Sequence, residues 1–219
     1  MVSAHWDTAR PAVSAAEEPE TIYDFYGFPE ELYRLRYPAP GAPQHAARVA
    51  GLLAGSGLEP RVDAQRGLDH GAWTPLMLMY PEAEIPVTQL SVQTRSGPGH
   101  HVRLGEALRP LREEGVLILA SGSITHNLRE FRGRHRDDGA PSWVVEFNEW
   151  LADAVQSGRT LDLVAYREKA PHAARNHPTE EHLLPLFVAI GAATPGGKAQ
   201  RLHSSYAYGV IGMDAYRFD

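Results

Sequence analysis

A mixed α/β sheet covered by helices is the fold class this sequence predicts, and three observations carry the prediction. Apolar segments with strand character recur at Val2 to Ala4, Ile85 to Val92 and Val116 to Ala120, the last a continuous run of the kind a doubly covered strand shows. Helical patterns lie between and after them, the alternation that builds helix-layered sheets. The 219 residues, 43% of them hydrophobic, suffice for one sizeable core, so a single domain over 1–219 is expected.

Val2-Ser3-Ala4 opens the chain as a short strand. Tyr26 to Pro43, rich in Pro, Gly and Tyr, reads as a long surface excursion. Pro43 to Leu53 is an Ala-rich helix closed at Gly55, and Val102 to Glu114 is a second, closed at Gly115. After the strand ending at Ala120, Ser121-Gly122-Ser123 lets the backbone bend sharply. Arg129 to Gly139 sets Arg129, Arg132, Arg134 and Arg136 around two aspartates. It reads as a solvated loop, with a lid over an anionic substrate as the alternative. Further helices are expected over Ser142 to Gln156, Leu161 to Glu168 and Glu180 to Ile190.

The formal net charge of -6 offers no electrostatic footprint for a nucleic-acid backbone or an anionic membrane, which favours a small-molecule partner. The absence of cysteine excludes disulfides, iron–sulfur clusters and thiolate zinc sites, and leaves histidine and carboxylate as metal ligands. A cytoplasmic location is expected. No apolar run approaches the roughly 20 residues that span a bilayer.

In open α/β sheets ligands bind beyond the carboxyl ends of strands. His5 follows Val2-Ser3-Ala4 and His126 follows the turn after Ala120, so both are site candidates, although either could be a hydrogen-bonded core histidine. Thr179 as an N-cap would put His182 in the first turn of the last helix, where the dipole disfavours imidazolium and suits a metal ligand. Glu180 and Glu181 could supply a carboxylate instead. Asp69-His70-Gly71-Ala72-Trp73 is a fourth constellation, in which Gly71 permits a tight turn and Asp69 could orient His70. His45, His100, His101, His135, His172 and His203 are expected to be structural or solvent-exposed.

These residues also carry a family resemblance. Ser3-Ala4-His5-Trp6, Thr21-Ile22-Tyr23-Asp24-Phe25 with Gly27-Phe28-Pro29, Asp69-His70-Gly71-Ala72-Trp73, His126-Asn127-Leu128 and Glu181-His182-Leu183-Leu184-Pro185-Leu186, in this order and spacing, resemble the 4,5-DOPA extradiol dioxygenases of the class III (protocatechuate 4,5-dioxygenase type) ring-cleaving enzymes. The resemblance implies a non-haem Fe(II) enzyme that opens a catechol ring with O2, with Zn2+ able to occupy the same site. It implies that His5 and His182 are metal ligands, and that His126 is the acid/base histidine, close enough to count as a ligand in some metal forms. His70 is implied as a second catalytic pocket histidine that contacts substrate or O2.

One departure matters. The family begins with a further strand ending in Ser/Gly-His-Gly-Ser-Pro, whose histidine is the first metal ligand, and these 219 residues contain no such segment. The expectation is a catalytic domain N-terminally truncated relative to the family, holding Fe(II) weakly and showing little activity. A zinc-dependent hydrolase using His5, His126 and His182, or a non-catalytic remnant, are the competing readings. The preferred catechol and the oligomeric state stay open.

Overall fold

The computed structural model describes residues 1–219. In chain order the elements are β1 (Val2–Asp7), β2 (Ala12–Ser14), α1 (Pro43–Gly55), β3 (Arg61–Asp63), α2 (His70–Met79), β4 (Leu90–Val92), α3 (Gly97–Leu108), β5 (Ala120–Ser121), β6 (Thr125–His126) and α4 (Ser142–Gln156). They continue with α5 (Thr160–Val164), α6 (Tyr166–Lys169), α7 (Ala173–Asn176), α8 (Leu184–Ala192), β7 (Ala199–His203), β8 (Tyr206–Ala207), β9 (Ile211–Gly212) and β10 (Ala215–Phe218).

The central sheet runs β3-β2-β4-β1-β5 and is mixed: β1 is parallel to β4 and β5, while β2 is antiparallel to β4. Two small antiparallel sheets, β10-β7 and β6-β9-β8, complete it. The main core gathers Val2, Val13, Leu90 and Val92 from the sheet with Leu53, Leu104, Phe147, Leu151 and Phe187 from the helices. Here α3 and α8 cross with their backbones nearly touching, since a Cβ on Gly105 would stand 2.1 Å from the Val188 carbonyl oxygen and one on Gly191 2.0 Å from that of Val102. Only glycine permits that approach.

Several expected elements change when neighbours are present. The strand read over Ile85 to Val92 shrinks to β4, because Pro86 has no N–H to give a ladder and Val87 N–H instead reaches back to the Pro40 carbonyl, 2.9 Å away. The helix expected from Val102 starts earlier, at Gly97, and passes into a 3-10 turn at Arg109–Arg112 around Pro110. The helix read over Leu161 to Glu168 divides into α5 and α6. The turn expected at Asp69-His70-Gly71 is the N-terminus of α2, capped by Asp69, whose carboxylate accepts from Ala72 N–H.

The run Val116 to Ala120 is mostly not strand. Only Ala120 and Ser121 pair as β5, with β1 on one side and no strand on the other, and Leu117 is 60% exposed. Along this free edge an apolar groove of about 600 Å³, lined by Leu117, Ile118, Leu186, Ala189 and Phe218, runs to His182.

Candidate active site

Strand alternation puts Val2, Ala4 and Trp6 on one face of β1, where all three are buried, and Ser3 and His5 on the other. β1 extends to Asp7, so His5 lies within the strand rather than after it. Ser3 Oγ donates to Asp69 Oδ1 at 2.6 Å and accepts from His5 N–H at 3.2 Å, which ties the strand to the cap of α2. Asp69, fully buried, also accepts from Arg66 at 3.2 Å and from the Gln89 amide. Gly71 lets α2 come this close: a Cβ there would stand 2.4 Å from Ser3 Oγ and 2.9 Å from His5 Cδ2. The outcome is that His70 meets His5, ring centroids 3.9 Å apart.

His182 arrives from the other side. The expectation that Thr179 caps a helix with His182 in its first turn is not met: α8 begins at Leu184, and Thr179 Oγ1 donates to Glu181 Oε1 instead. His182 sits in the turn before the helix, its carbonyl accepting from Ser123 N–H at 2.8 Å. That turn is seated further by His177, wholly buried, whose Nε2–H donates to the Ile124 carbonyl at 2.6 Å. His126, in β6, stacks on His182 with centroids 3.5 Å apart and planes 10° from parallel. His182 also meets His5 edge-on at 4.9 Å. The structure thus brings His5, His70, His126 and His182 into one continuous cluster.

Two carboxylates flank the imidazoles. Asp24 Oδ1 accepts from His70 Nδ1–H at 2.9 Å, and Glu181 Oε1 from His182 Nδ1–H at 3.1 Å. Glu180 turns away and accepts from Tyr166 Oη and Arg167 Nε. Neither Asp24 nor His177 stood out in the sequence as a site residue. Asp24 lies within a quoted motif but far in sequence from any histidine it serves, and the only signal for His177 was its place before Pro178.

Burial, reinforced by the neighbouring imidazoles, pushes His5 down to about 4 and His126 to about 3, so both are neutral at pH 7. Burial would raise Asp24, but the hydrogen bonds from the His70 ring and backbone outweigh it and hold the carboxyl at about 2. The hydrogen bond from His182, partly opposed by burial, holds Glu181 at about 2. Neutral imidazole is the ligating form, and the nitrogen and oxygen donors of His5, Asp24 and His70, and of His126, Glu181 and His182, lie within 4.8 Å of one another in each group. The donor set therefore fits a divalent transition metal. On one side of the cluster Phe25 stands edge-on to His70 at 5.5 Å, with Tyr23, Tyr33 and Trp73 behind it, an apolar wall of a size to meet a planar ring.

Fold and cluster together define a helix-layered α/β protein with an imidazole and carboxylate pocket fit for metal-dependent chemistry. Residues 1–219 match the family described as the catalytic LigB subunit of aromatic ring-opening dioxygenase, and the chain belongs to that family and to its enzyme class. It is 48% identical over 219 residues to the 4,5-DOPA dioxygenase extradiol of Beta vulgaris, covering all of this chain and 81% of that one. It is 47% identical, with the same coverage, to the 4,5-DOPA dioxygenase extradiol of Mirabilis jalapa. A crystal structure of an uncharacterized Escherichia coli K12 protein superposes with a TM-score of 0.81 at 34% identity, over 98% of this chain and 83% of that chain. No helix is long and apolar enough to cross a membrane.

Proposed function

We propose that this pocket cleaves catechols beside their two hydroxyls with O2, using Fe(II). The observation that carries the reading is the contact of His5 with His70 at 3.9 Å and of His126 with His182 at 3.5 Å, four imidazoles from distant parts of the chain beside an aromatic wall. His5 and His182 are the residues that would hold the metal, with His126 near enough to join them. When bound, the metal supplies one centre at which both catechol oxygens and O2 meet and exchange electrons.

The chain's own residues do the rest. His126, neutral and so able to accept, takes a hydroxyl proton from the substrate and returns one as the ring opens, and the low basicity that burial gives it favours the return of that proton over its retention. His70 meets the substrate on the opposite side. Phe25 and its aromatic neighbours orient the ring and keep water from that side.

The test is catechol-dependent O2 uptake by Fe(II)-loaded protein, with DOPA, caffeate and catechol as substrates and the yellow semialdehyde product as a second readout. Uptake in step with product supports the reading. Metal-dependent turnover that persists without O2 would replace it with a hydrolase.

A further inference from the structure

Asp24 belongs to none of the histidine motifs, yet it is the residue that both His5 and His70 face. Its Oδ1 accepts the His70 backbone N–H at 2.9 Å and stands 2.9 Å from ring Nδ1, while Oδ2 stands 3.5 Å from His5 Nδ1. The carboxylate is placed independently of the rings it serves. Thr21 bridges to Leu68, Ile22 N–H donates to the Leu68 carbonyl at 2.8 Å, and Trp73 Nε1–H donates to the Ile22 carbonyl at 2.9 Å, so the segment leading to Asp24 is tied to both sides of the α2 N-terminus.

An ionised carboxylate offers no hydrogen, so the ring nitrogen facing it must carry one. In a neutral imidazole the other nitrogen is then a bare acceptor. We propose that Asp24 is a positioning residue that holds His70 as its Nδ1–H tautomer, and so presents Nε2 to the pocket as the acceptor for a substrate hydroxyl hydrogen. The proposal rests on the catechol reading above. Without the carboxylate His70 would pass mainly to the Nε2–H tautomer, and Nε2 could then no longer accept the substrate hydroxyl hydrogen. The second bond, to the backbone N–H, keeps Oδ1 at a fixed place on the ring edge, so tautomer and ring angle are set together.

The experiment is ring-nitrogen NMR on the metal-free, 15N-labelled 219-residue protein at neutral pH, with His70 assigned by the signals lost in His70→Gln. The wild-type ring should show a protonated Nδ1 and a bare Nε2. Asp24→Asn keeps a carbonyl oxygen to accept from His70 and should preserve that pattern, whereas Asp24→Leu should move the ring mainly to Nε2–H. Excess 4-nitrocatechol should then shift His70 Nε2 in the wild type while leaving Nδ1 protonated. A wild-type His70 protonated at Nε2, an unchanged tautomer in a folded Leu variant, or no response of Nε2 to 4-nitrocatechol would each overturn the proposal. If the Leu variant fails to fold, the wild-type and Asn spectra still decide it. A response at His126 with His70 silent would sink this role for Asp24 and leave the ring-cleaving reading standing.

Discussion

His126 and His182 stack face to face yet arrive from different elements and meet different partners, and their substitutions should separate. With Fe(II) loaded, His126→Ala is expected to retain most of its iron and lose ring cleavage, whereas His182→Ala loses the iron, because a proton carrier and a ligand fail differently. Iron content beside O2 uptake reads the two, and equal iron loss in both variants would promote His126 to an essential ligand. Two fully buried histidines, His101 and His177, make the fold acid-sensitive. His101 donates from Nδ1 to the Gly97 carbonyl and accepts Gln93 N–H at Nε2, so protonating it would put a hydrogen against a hydrogen. Burial holds both His101 and His177 at about 4, against an ordinary value near 6.5. Between these values the unfolded chain binds protons that the native one does not, so stability is full above pH 6.5 and falls as pH drops toward 4. The loss at pH 5 is about 2 kcal/mol per ring. Urea midpoints at pH 7.5 and pH 5 test this, and equal midpoints would contradict it. At this scale His5, His70, His126 and His182 were legible because each sits in a recognisable motif. Asp24 was not, since nothing in its local sequence reveals that residue 70 folds back upon it.

Gly122 and the turn carrying His182 form a single joint. A Cβ on Gly122 would stand 2.1 Å from the His182 carbonyl oxygen, which must keep its bond to Ser123 N–H. Gly122→Ala should therefore cost about 1–3 kcal/mol and weaken metal binding, while Gly51→Ala, on a helix face with nothing within 4 Å, should leave both near wild type. Thermal midpoints and Zn2+ titration of the two variants provide the comparison. Elements whose signals are local were read well: α1 and α4 follow from their own apolar spacing and end where expected. Elements whose existence depends on a neighbour were read badly. The apolar run before Ala120 looked like a buried strand, but strand pairing needs an adjacent chain, and composition does not reveal whether one is there. The position of His182 fails for the same reason, because Thr179 bonds a side chain that only the folded turn brings near.

For the molecule as a whole, metal and fold are linked. A ligand that binds only the native state raises its stability in proportion to the logarithm of its concentration over Kd. If the histidine of the family's His-Gly-Ser-Pro segment is the remaining ligand, a polypeptide carrying such a strand ahead of Met1 should hold more iron, consume more O2 with catechol and melt higher than the 219-residue polypeptide. Should the 219 residues already bind one iron and turn over at the same rate, His126 or His70 completes the ligand set. The free edge of β5 has a consequence of another kind. The short edge strand β5, preceded by the exposed Leu117, has no strand on its outer side and is a template that an extended chain can complete, including another copy of this one. Solutions of the 219-residue protein should therefore self-associate as concentration rises and disperse on dilution, and Leu117→Lys should suppress the association. Sedimentation velocity across a concentration series would show it, and a single concentration-independent species in the wild type would mean that the edge repels its own kind.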